Sequence, residues 1–84
     1  MTTREQLRKM LVDKGMSENQ AEKVLEIAIP KIEEASPNYQ VTWDRPAKEY
    51  PDVVYKVMWL HVKEAAKEWL AEHAPNAWFR PMFD

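Results

Sequence analysis

Between Val53 and Leu70 the chain carries apolar residues on nearly every side of a helix, and this stretch restricts the available folds more than any other. Tyr55, Met58, Trp59, Val62, Ala65, Ala66 and Trp69 recur at helical spacing and form one broad stripe. Val53, Val57 and Leu60 extend the apolar surface round the other side of the first half. A helix that is apolar all round belongs at the centre of a structure. The second half is amphipathic, with Lys63, Glu64, Lys67, Glu68 and Glu72 solvated. Proline suits a first helical turn, where its missing N–H had no partner. The residue before a proline avoids the α region, so Ala74-Pro75 ends the helix. The pattern predicts a helix from about Pro51 to about His73. Its β-branched start leaves one alternative open: a strand paired with Tyr39 to Trp43, where Tyr39, Val41 and Trp43 alternate with Gln40 and Thr42.

Two shorter helices precede it. Thr3-Arg4-Glu5-Gln6 has capping-box spacing, with the Thr3 hydroxyl accepting from a free N–H and Gln6 reaching back. Leu7, Met10 and Leu11 then share a face. Lys14-Gly15-Met16 ends the first helix, because Gly15 can adopt positive φ and Met16 can pack on the last turn. Ser17-Glu18-Asn19-Gln20 repeats the start signal, with Met16 placed to staple against Ala21. Ala21, Val24, Leu25, Ala28 and Ile32 make the second stripe. Pro30 interrupts it by removing a hydrogen bond to the Glu26 carbonyl. Because Ile32 and Ala35 keep the phase, a kink is expected rather than a stop.

Stability has to come from apolar burial. A chain of 84 residues forms one domain and buries a modest share of its surface, and without cysteine it has neither disulfides nor thiolate metal sites to help. Four Trp, three Tyr, two Phe and five Met within a 45% hydrophobic composition provide the material for a core. Twelve basic and 14 acidic residues leave a net charge of −2, not the basic field that nucleic acid or an anionic membrane attracts. No apolar run follows Met1 to Glu5 as a signal peptide would need, and Val53 to Val62 is too short to span a bilayer. The sequence therefore reads as a soluble, cytoplasmic protein.

Reactive groups are sparse. Ser17 and Ser36 stand where a helix cap and a turn need them, and a single glycine rules out a phosphate-cradling loop. His61 and Glu64 lie one turn apart, which is two ligands rather than a metal site, and His73 is too distant along the helix to join them. No nucleophile, base and orienting group can be assembled, so no catalytic residue, metal or cofactor is expected. Arg4 and Arg8 share a helix face near Lys9 and Lys14, and with Tyr39, Trp43 and Arg45 they could engage single-stranded nucleic acid. Neighbouring acids cancel most of that field, so this reading stands second.

Aromatic residues are concentrated outside the helices. Ser36-Pro37-Asn38 opens a linker over 36–51 that holds Tyr39, Trp43 and Tyr50, and the tail after Pro75 holds Trp78, Phe79, Arg80, Met82 and Phe83. These residue types are enriched at protein interfaces and their hot spots. Either both segments fold back to finish the core, or they present an apolar patch to a partner.

Lys14-Gly15-Met16-Ser17-Glu18-Asn19-Gln20-Ala21, with Val24-Leu25 behind, resembles the first loop and second helix of ubiquitin-associated domains. Val62 to His73 is similar to their third helix. The resemblance implies that Gly15 and Met16 lie on a partner-binding surface. That family has Met-Gly followed by an aromatic and nearly contiguous second and third helices. Here Gly-Met-Ser, Pro30 and a long loop depart from both features, and the chain is not placed in the family.

The expectation is an all-α, single-domain protein over residues 1–84. It would have three helices, a kinked second helix, a central third helix, an aromatic loop draped over the bundle and an apolar C-terminal tail. Functionally it reads as a non-enzymatic protein–protein interaction module, in size and style a small bacterial or phage accessory or inhibitory protein. Its partner-binding residues would be Tyr39, Trp43, Tyr50, Trp78, Phe79, Arg80, Met82 and Phe83, presented to another protein or to a second copy of itself.

Overall fold

The structure, a computed structural model, describes residues 1–35, 43–46, 48 and 52–83. Three helices carry the fold: α1 (Thr3–Asp13), α2 (Glu18–Ala35) and α3 (Asp52–His73), followed by a 3₁₀ turn over Arg80–Phe83. This is a small all-α domain with no strand among the described residues. The apolar run after Asp52 is helical from its start, so the strand alternative for Val53-Val54 does not hold. Tyr39, Val41, Tyr50 and Pro51 lie outside the described residues.

The cap of α1 sits one residue earlier than the sequence suggests. Thr2 is the N-cap: its hydroxyl accepts from the Glu5 N–H, and Glu5 Oε1 accepts in return from the Thr2 N–H. Two consecutive threonines offer the same capping chemistry, and a contact distant in sequence decides between them. Thr3 is fully buried, and both its backbone N–H and its hydroxyl donate to the Arg45 carbonyl at 2.9 Å. Arg4 N–H donates to the Trp43 carbonyl, and Thr2 bridges to Pro46. Residues 43–46 thus satisfy two of the amide groups that a helix start leaves without partners.

The α1–α2 connection follows its sequence signals closely. The Gly15 N–H donates to the Val12 carbonyl and the Met16 N–H to the Leu11 carbonyl, the pair of bonds that defines a Schellman cap. Gly15 has φ +118°, a conformation that L side chains rarely adopt. Ser17 and Gln20 then form the reciprocal cap of α2: Gln20 N–H donates to Ser17 Oγ, and Ser17 N–H donates to Gln20 Oε1. Met16 and Ala21 are both buried in the core, as a hydrophobic staple places them.

Helix α2 continues through Pro30 to Ala35. Pro30 and Glu26 are both exposed, so the carbonyl that proline leaves without a donor lies on the solvated side of the helix. The buried face of α2 is Ala21, Val24, Leu25, Ala28 and Ile32.

It is α2, not α3, that stands at the centre, packing against α1 on one side and α3 on the other. The expectation of a central α3 fails because its apolar residues divide between two opposite faces. Met58, Val62, Ala65, Ala66 and Leu70 face the core. Val53, Val57 and Leu60 face solvent.

Candidate functional site

The tail folds back on the bundle. After Pro75 the chain turns, with the Ala77 N–H donating to the Ala74 carbonyl and the Arg80 N–H to the Ala77 carbonyl. Arg80 Nη1 donates to the Pro75 carbonyl at 2.9 Å, which cross-braces the turn. Phe79 and Phe83 are both buried, and their rings meet edge to face with centroids 6.4 Å apart. Phe83 also lies against Trp59 on α3, with ring centroids 6.3 Å apart. In the described conformation these two phenylalanines therefore complete the core and cannot touch a partner, which corrects their inclusion among surface residues. Their neighbours behave oppositely. Trp78 is 72% exposed and Met82 49% exposed, and Arg80 is exposed as well. The Trp78 ring stands perpendicular to that of Phe79, with centroids 5.6 Å apart, so a buried residue fixes the base of an exposed one.

Trp43 has a different situation from the tail residues. It is half-buried against the core, and its indole N–H donates to Glu33 Oε1 at 2.8 Å. It ties the 43–46 segment to the end of α2. Tyr39 and Tyr50, its companions in the proposed set, lie outside the described residues.

The positive face of α1 is neutralised from within. Arg4 grips Glu22 through two hydrogen bonds, Nη1 to Oε1 at 2.8 Å and Nη2 to Oε2 at 2.6 Å, and Arg8 Nη1 adds a third at 3.2 Å. The hydrogen bond from Arg4, reinforced by both guanidinium charges, holds the Glu22 carboxyl below the ordinary carboxylate value, and the same contact raises Arg4. Arg4 and Arg8, the groups a nucleic-acid reading needs, are thus engaged with a carboxylate. The Glu5 carboxyl is also lowered, chiefly by the hydrogen bond from the Thr2 hydroxyl.

These shifts set a direction for acid sensitivity. A carboxylate lowered in the folded state contributes stability above its unfolded value, near 4.3, and loses it as pH falls through the folded value. The Arg4 and Glu22 side chains are 34% and 33% exposed, so solvent screens the pair and its contribution is about 0.5–1 kcal/mol. Glu22→Gln is expected to lower stability by that amount at neutral pH and to flatten the decline below about pH 4.5. Urea denaturation of both proteins across the acid range checks this. Parallel acid limbs would show that the pair is inert.

His61 is half-buried, and the His73 ring lies 5.0 Å from that of Trp69. Among the described residues no group of three or more His, Asp or Glu side chains is placed to hold a metal ion. A shallow depression beside α1 is lined by Met1, Glu5, Arg8, Lys9, Val12 and Glu18. Glu5 and Arg8 there are already bonded to Thr2 and Glu22.

The surface that the ubiquitin-associated resemblance implies is covered by the chain itself. Met16 is buried, and a Cβ at Gly15 would meet Phe79 Cβ at 2.7 Å and the Trp78 ring at 3.0 Å.

What the sequence reading misses is the outward face of α3. Val53, Val57 and Leu60 fall on one stripe and are 64%, 46% and 60% exposed. Their signal is the near-continuous apolarity of the helix, which by itself does not say whether the second face is enclosed or open.

Comparison with known protein families, with curated proteins and with solved structures finds no significant match for the chain. No helix among the described residues is long and apolar enough to cross a membrane. The fold and the exposed side chains define the class alone: a small all-α domain carrying apolar residues on its surface.

Proposed function

We propose that this chain is a non-enzymatic protein-binding module in which Trp78, with Met82 and Arg80 beside it, anchors a partner protein. One observation carries the reading: a tryptophan lies 72% exposed beside two buried phenylalanines. An aromatic side chain on an ordered segment loses little conformational freedom on binding, and Trp, with Tyr and Arg, dominates binding hot spots. An accessory or inhibitory role, and a cytoplasmic setting, belong to this proposal. Single-stranded nucleic acid has less support, because Arg4 and Arg8 are bound to Glu22 and the Trp43 indole N–H to Glu33.

The test is affinity capture from native cell extract with mass-spectrometric readout, comparing the natural chain with Trp78→Ala. Trp78→Ala is expected to shift stability by no more than about 0.5 kcal/mol, as at other surface positions. Its captured set should lose at least one protein that the natural chain retains and that binds the purified chain directly. Identical captured sets from two equally folded proteins would reject the tail as the docking point.

A further inference from the structure

We draw no further inference here: the strongest candidate, the exposed apolar stripe of Val53, Val57 and Leu60 on the outward face of α3, carries nothing because nothing in the structure shows what covers it.

Discussion

Phe83→Ala is expected to remove about 3–5 kcal/mol of folding stability, while Met82→Ala, one residue earlier, should change it by less than about 0.5 kcal/mol. Phe83 is fully buried, and its ring sits between those of Phe79 and Trp59. Truncation removes the transfer free energy of a benzyl group and opens a cavity that three helices cannot collapse into. A domain of this length has roughly 4–13 kcal/mol in total, so the loss is a large share of the whole. At about 4–8 °C per kcal/mol, the melting temperature should fall by at least about 12 °C. Deleting residues 77–84 removes Phe79 as well and should leave a chain with no cooperative transition. Thermal melts followed by circular dichroism check all three. If the truncated chain melts like the natural one, the tail is an appendage and its phenylalanines belong with Trp78 among the residues open to a partner.

The tail illustrates how far the sequence carries this structure. Phe79 and Phe83 are four residues apart, as are Trp78 and Met82, so a helical turn separates the four apolar residues into two pairs. The spacing announces that division. Which pair faces inward depends on Trp59 and Gly15, residues distant in sequence. The same distinction runs through the rest of the molecule. The Schellman cap at Gly15 and the Ser17–Gln20 box are local, and both are readable in the chain. The register of the α1 cap is not readable, because the Arg45 carbonyl, 42 residues away, takes the Thr3 hydroxyl and leaves capping to Thr2. Periodicity locates α3 to within a residue or so of its ends, yet it misjudges the helix as central. The hydrophobic stripe of α2 is narrower, but that helix has a neighbour on each side, whereas α3 has one face covered and one open. Periodicity says which residues share a face and is silent on what the face meets. The candidate site is legible to the same extent: Trp78, Arg80 and Met82 stand out by residue type, whereas periodicity leaves open whether Val53, Val57 and Leu60 are enclosed or exposed.

Gly15→Ala should cost about 2–6 kcal/mol, a large loss for the addition of one methyl group to a surface turn. Two effects combine. At φ +118° an L side chain is strained, by an amount of order 1–3 kcal/mol. The added Cβ would also stand 2.7 Å from Phe79 Cβ, well inside van der Waals contact, with the Trp78 ring at 3.0 Å. Phe79 Cβ is bonded directly to the backbone and cannot swing aside, so relief requires the tail to move as a unit, and overpacking of this kind costs about 1–3 kcal/mol. Hydrogen exchange separates the two contributions. Strain alone would lower protection evenly across every amide that exchanges by global unfolding. Displacement of the tail would first expose the Met82 N–H, bonded to the Phe79 carbonyl, while the Val24 and Leu25 amides of α2 lose only the global share. The displaced tail is the expected outcome, because glycine at position 15 serves two purposes at once: it lets α1 terminate, and it leaves the space in which Phe79 seats. Equal loss of protection at Met82 and in α2 would limit Gly15 to the first of these. It would also leave the anchoring of Trp78, on which its role in binding depends, to the buried rings of Phe79 and Phe83 alone.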